Sequence, residues 1–215
     1  MRCGDVSGNG RYESCRAWEP GLLKTSGPGP QQRRLPRRRT AAGRVQMSRT
    51  RRPIIPNAAY FITSVTHRRQ QWFARPQFAQ IVVDQWKHYE KTYEFHLDTY
   101  SVLPDHYHVV LNVGEKKTIS QILHAVNSYT VTLINQQLGR QTKVRVWEGR
   151  PWDEVIRDEN MYWQKVAYTL FNAWREGLVS DPLEPYPFSD LAEWLEREGQ
   201  EFLLDMFSRY RRWFE

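Results

Sequence analysis

From Tyr60 to Thr66 apolar and polar positions alternate, with β-branched residues among them, and this predicts a first strand. The spacing then changes. Phe78, Val82, Trp86, Tyr89 and Tyr93 recur at steps of three and four, an amphipathic helix over 77–93. Phe95 to Leu103 returns to strand character. Pro104 and Asp105 mark a turn, and alternation resumes from His106 to Val113 as a third strand. Thr118-Ile119-Ser120-Gln121 has the form of a capping box. It opens a helix with Ile119, Ile122, Val126, Leu133 and Ile134 on one stripe and Gly139 at its end. Lys143 to Trp147 is expected to form the fourth strand. Asp158 caps a further helix that Gly177 stops, and Ser189 to Phe214 reads as one or two acidic helices with an apolar face. The order strand, helix, two strands, helix, strand, helix predicts an α+β fold, with helices packed on a mainly antiparallel sheet and C-terminal helices added to it.

The third strand carries the first sign of chemistry. Side chains on a strand alternate between faces, so His106 and His108 point the same way. Tyr107, Val109, Leu111 and Val113 take the other face and fit a core. Two adjacent imidazoles can share a metal ion or bracket an anion, but the pair alone names no reaction.

The helix from Asp158 to Glu176 supplies a second sign. Trp163, Val166, Ala167, Leu170, Phe171 and Trp174 form its apolar stripe. Gln164, Tyr168 and Asn172 form a polar row at i, i+4 and i+8, away from that stripe. A tyrosine phenol ordinarily has a pKa of about 10 and is a poor nucleophile at neutral pH. It becomes useful when a metal stabilises the charge that develops on its target. Histidines with an amide from a neighbouring helix suit attack on a phosphodiester. Tyr162 lies off the stripe but lacks a polar partner one turn on.

Charge separates the chain into segments. The formal net charge of +7 falls entirely within residues 1–46, so the remainder is neutral; 47–180 carries +5 and 181–215 carries −5. The basic pI is therefore weak evidence for nucleic acid, and the excess around the histidines is better evidence. Residues 1–46 also hold seven of the twelve glycines, the run Arg33-Arg34-Leu35-Pro36-Arg37-Arg38-Arg39, and both cysteines, Cys3 and Cys15. They are expected to be a disordered basic extension, with translation starting at Met47; the other reading is a basic arm that touches DNA. The body has no cysteine, which excludes a disulfide or thiolate metal site there and is consistent with a reducing cytoplasm. No apolar run approaches the roughly 18 residues of a membrane helix.

Several motifs together resemble the single-tyrosine HUH transposases of insertion sequences. Leu103-Pro104-Asp105-His106-Tyr107-His108 is similar to the His-hydrophobic-His motif, and Tyr168-Thr169-Leu170-Phe171-Asn172 to the Tyr-x-x-x-Asn/Gln helix. Between and beyond them, Ser128-Tyr129, Ile134-Asn135, Leu138-Gly139-Arg140, Val146-Trp147-Glu148, Ile156-Arg157-Asp158, Arg175-Glu176-Gly177-Leu178-Val179 and Tyr186-Pro187-Phe188-Ser189 also resemble that family. The REP-associated tyrosine transposases resemble it most. The resemblance runs from about Arg51 to Ser189. It implies a ferredoxin-like HUH catalytic domain over 47–187, with 188–215 an acidic helical tail. It implies cleavage and rejoining of single-stranded DNA beside hairpins through a covalent 5′-phosphotyrosine, in the bacterial cytoplasm on the nucleoid. Tyr168 is then the nucleophile, and His106, His108 and Asn172 hold a divalent metal, Mg²⁺ or Mn²⁺. Both a monomer and a homodimer are compatible with it. There are two departures. Asp105 stands where Asn is usual before the first His, able to assist the metal or cap the turn. Asn172-Ala173-Trp174 stands where Asn-Pro-Val is usual, and losing Pro is expected to leave the helix more regular.

Arg68, Arg69, Arg75, Lys116, Lys117, Arg140, Lys143, Arg145 and Arg150 are candidate phosphate contacts, each also readable as a solvated charge. Trp72, Phe73 and Trp147 are candidates for base stacking or for the core. His67, His88, His96 and His124 are expected to be structural or solvated, and Tyr129 to pack or touch DNA. The acidic tail reads as a capping helix, with a lid over the DNA site as the alternative. The main alternative function is a non-catalytic binder of hairpin DNA or RNA. A zinc hydrolase built on the two histidines lacks a carboxylate partner and leaves Tyr168 idle.

Overall fold

A computed structural model describes residues 58–139 and 144–213. The extension 1–46, the start at Met47, and the candidates Arg140 and Lys143 lie outside these residues. Four strands form one antiparallel sheet in the order β2-β3-β1-β4: β1 Ala59–Val65, β2 His96–Leu103, β3 His106–Asn112 and β4 Trp152–Val155. Residues 188–190 run along the outer edge of β2, where Val102 N donates to Phe188 O and Ser101 pairs with Ser189. That contact covers an edge otherwise open to strand addition.

Each sheet face has its own core. On one face lie Tyr60, Ile62, Tyr107, Val109 and Leu111, as strand alternation requires. They pack under α1, Pro76–Tyr93, and α2, Ile119–Gln137, through Phe78, Val82, Trp86, Ile122 and Val126. The expected capping box opens α2: Thr118 accepts from Gln121 N while the Gln121 side chain accepts from Thr118 N. The opposite face presents Ala59, Phe61 and Val110 to α3, Glu159–Leu170, whose Tyr162, Val166, Ala167 and Leu170 cover them. Asp158 caps α3 by accepting from Met161 N. The outer side of α3 lies against α5, Leu191–Glu198, and α6, Gln200–Tyr210, through Trp194, Leu203, Met206 and Tyr210. The helical tail is thus part of the second core.

Two expectations change. The fourth strand is Trp152–Val155; Trp147 contributes a single bridge to Thr66. The helix does not run unbroken to Gly177. Phe171 has φ −92° and ψ 7° and separates α3 from a short α4, Asn172–Arg175, even without proline. Phe171 is wholly buried, ring to ring with Phe207 of α6 at 5.1 Å, so packing under the tail accompanies the break. Of the aromatics that were candidates for stacking or for the core, Phe73 belongs to the first core, with Trp72 and Trp147 packed against it.

Candidate active site

His106 and His108 stand on the central strand β3 and project from the α3 face. Their rings are 4.8 Å apart between centroids and inclined at 81°. Each has its Nδ1 engaged. His106 Nδ1 lies 2.6 Å from Asp105 Oδ1, and Asp105 Oδ2 accepts from Arg69 Nη1 at 3.4 Å. A carboxylate accepts, so Nδ1 is the donor and Nε2 is the ring nitrogen turned away from Asp105. His108 Nδ1 lies 2.9 Å from the hydroxyl of Thr63, its cross-strand neighbour on β1. His108 Nε2 is buried with no hydrogen-bond partner among the described residues. Burial first, then the charges of His106, Arg175, Lys165 and Arg69, hold the His108 imidazole well below its ordinary pKa. It is therefore a neutral ring near neutral pH.

Tyr168 comes to this pair from α3. Its ring meets His108 edge-on at 5.0 Å and Phe61 edge-on at 5.8 Å, while Phe61 stacks on His108 at 5.4 Å. Arg175 Nη1 donates to Tyr168 Oη at 3.0 Å. The two histidines and Tyr168 line one cavity of about 530 Å³, with Arg69, Lys165 and Arg175 as its cations and Glu176 as its carboxylate. Lys165 Nζ is 2.8 Å from Glu154 Oε2.

The polar row divides. Gln164 and Tyr168 border the cavity. Asn172 is wholly buried beyond the break in the helix, and neither atom of its amide has a hydrogen-bond partner among the described residues. Tyr162 is buried in the second core against Trp163. Of the basic residues named from the sequence, Arg69 borders the cavity. The others among the described residues are engaged elsewhere or lie away from it. Arg145 donates to the carbonyls of Trp147 and Glu148, Lys116 pairs with Glu94, Lys117 lies over Tyr93 and Arg75 over Phe78. The Arg68 backbone N donates to Glu148, and Arg150 is exposed. Of the other histidines, His67 pairs with Glu148 and His96 lies near Glu90 and Asp98.

Lys165 was not singled out from the sequence, and Arg175 was read only as part of a motif, not as a site residue. Their signal was spacing: they lie three residues before and seven after Tyr168, which helical geometry puts on its face.

Among the described residues no group of three or more His, Cys, Asp or Glu could hold a metal. The histidine pair nonetheless fits one. Both rings are oriented by hydrogen bonds at Nδ1, the arrangement that supports metal-ligating histidines, and His108 Nε2 is a buried atom in want of a partner. A third protein donor would be an amide, from Gln164 at the cavity wall or from Asn172.

Residues 55–155 match the family model described as "Transposase IS200 like", just under half of the chain. The matched segment contains the whole sheet and both histidines and stops before Tyr168. No curated protein matches the chain. A solved structure of a REP-associated tyrosine transposase bound to a REP hairpin is similar in fold, with a TM-score of 0.57 and 22% identity over 72% of this chain and 88% of that one. A candidate transposase from Deinococcus radiodurans is more distant, with a TM-score of 0.39 and 15% identity over 54% of this chain and 91% of that one. No helix among the described residues is long and apolar enough to cross a membrane. Residues 55–155, which hold the whole sheet and both histidines, are thus similar to the IS200-like transposases, and the fold as a whole is similar to that of a REP-associated tyrosine transposase.

Proposed function

We propose that this protein cuts and rejoins single-stranded DNA, with Tyr168 as nucleophile and His106 and His108 holding Mg²⁺ or Mn²⁺. The observation that carries this reading is the edge-on contact of Tyr168 with His108 at 5.0 Å inside one chain. Tyr168 Oη attacks phosphorus, and the bond from phosphorus to the 3′ oxygen breaks. The phenolic proton is lost, the departing strand takes a proton to become a 3′-hydroxyl, and the 5′-phosphate stays on tyrosine. Attack by a 3′-hydroxyl reverses the step, so no high-energy cofactor is needed. Arg175 orients the phenol and faces the charge that develops on its oxygen. Arg69 and Lys165 draw the phosphate into the cavity. A divalent cation at the histidines supplies Lewis acidity toward the phosphodiester oxygens. Imidazole favours later metals than Mg²⁺, which favours Mn²⁺ of the two. Asn172 is the third donor we assign, with Gln164 as its rival. The meeting of the histidines and Tyr168 of one chain in one cavity supports a monomer as the working unit. The hairpin bound to the REP-associated neighbour supports stem–loop DNA as substrate.

The test is a covalent adduct. End-labelled stem–loop DNAs are incubated with the full chain and Mg²⁺ or Mn²⁺, then run on denaturing gels. The expected adduct retains the 5′-phosphate side, and Tyr168→Phe and chelation each abolish it. An adduct that survives Tyr168→Phe sinks the assignment of the nucleophile. Tight binding without any adduct establishes the second reading, a non-catalytic hairpin binder, which the placement of Asn172 outside the cavity wall favours.

A further inference from the structure

Among the described residues two tryptophans are largely exposed, Trp152 at 54% and Trp213 at 57%, and both line the histidine cavity. Single exposed apolar residues need no explanation. Two indoles in one cation-walled cavity do. Trp152 opens β4, the strand at the edge of the sheet, and stands in the cross-strand row His108, Thr63, Trp152. Strand spacing puts it about 10 Å from His108 along the sheet, a separation that a flanking nucleotide spans. Phe61 supports Trp152 edge-on at 6.1 Å. Lys165 Nζ lies 5.7 Å from the Trp152 ring and 4.6 Å from the Phe61 ring, held by Glu154. An aromatic face with a cation beside it matches a nucleotide, whose base offers a flat π-surface and whose phosphate carries the charge.

We infer that Trp152 is a stacking platform for one unpaired base flanking the phosphate held at the histidines, with Lys165 facing that nucleotide's phosphate. The inference rests on the single-stranded DNA reading above. It adds a subsite outside the chemistry. Stacking tolerates any base, so the platform fixes the position of the strand and leaves its sequence unread. Trp213, on the segment after α6, walls the same cavity and limits how far the strand can slide.

The test uses fluorescence anisotropy with the full chain in EDTA, where no cutting occurs. The probe is a stem–loop DNA with thymidine flanks of about ten nucleotides, each flank position made abasic in turn. One abasic position is expected to weaken wild-type binding roughly ten-fold. Trp152→Ala should weaken binding to the intact probe by a similar factor and no longer respond to that abasic position, and Trp152→Phe should restore most of the affinity. Because Trp152 is largely exposed, Trp152→Ala is expected to keep its circular dichroism spectrum. Unchanged binding by Trp152→Ala, or an abasic penalty that persists in it, overturns the platform. The parent reading is scored separately by the adduct: Trp152-dependent binding without an adduct keeps the platform and removes cutting, and a wild type that binds no single-stranded flank overturns both.

Discussion

Arg175 reaches back two helical turns and donates a hydrogen bond to the hydroxyl of Tyr168 at 3.0 Å, with its guanidinium carbon 5.4 Å from the ring centroid. The bond crosses the break at Phe171, so α3 supplies the phenol and α4 the cation that faces it. A donor aimed where charge develops acts on the transition state more than on binding. Arg175→Ala should slow adduct formation roughly 100-fold while changing DNA affinity only a few-fold, as read by single-turnover kinetics beside anisotropy. Equal losses in rate and affinity would make Arg175 a phosphate anchor instead.

Asp105 answers the question its position raised. It binds His106 Nδ1 and is held by Arg69, so it orients a ring as well as ending a turn. Partners of this kind change metal affinity by about 10–100-fold. In Asp105→Asn the side chain still accepts a hydrogen bond but carries no charge. The Mn²⁺ concentration for half-maximal adduct should rise by that factor with little change in Tm, and an unchanged midpoint refutes the role.

His108 predicts a pH dependence of the metal-free protein. Its folded pKa lies below the unfolded value, chiefly through burial. Below about pH 6.5 the unfolded imidazole takes up a proton that the folded one still refuses. The unfolded state then binds more protons, so stability present above that pH is lost as pH falls. Urea titrations should show this decline in wild type and a shallower one in His108→Val. Parallel profiles would place the loss in other groups.

The buried amide of Asn172 lacks partners among the described residues, and such a group is destabilising by about 1–3 kcal/mol. Asn172→Leu, similar in volume, should raise the Tm of the metal-free protein by several degrees and abolish the adduct. Should the adduct persist in Asn172→Leu and vanish in Gln164→Ala, the third donor is Gln164.

The strongest sequence signals were local ones. The alternation at His106–Leu111 places two histidines on one face and a core on the other, and it does so because β3 is central and packed on both sides. The caps at Thr118 and Asp158 follow from hydrogen bonds within one turn. β4 was not legible, because Trp152-Asp153-Glu154-Val155 is short and charged, as an edge strand is free to be. Val144, Val146 and Trp147 alternate instead because they line the first core as a loop. The break at Phe171 goes with a ring contact to α6, far along the chain, which no local pattern records. Nor does an apolar pattern say which aromatic goes inward: Trp147 is packed against the first core and Trp152 stands at the cavity.

The layering of α3 between sheet and tail has a consequence for synthesis. Translation runs from N- to C-terminus at about 5–20 residues per second, and early segments begin to fold first. The sheet with both histidines can pair once β4 has emerged. The outer face of α3 must wait for Trp194, Leu203 and Met206, which come later still. The histidine half of the cavity is thus built first on the ribosome and the Tyr168 half last, so a nascent chain holds Tyr168 loosely until the tail has been made.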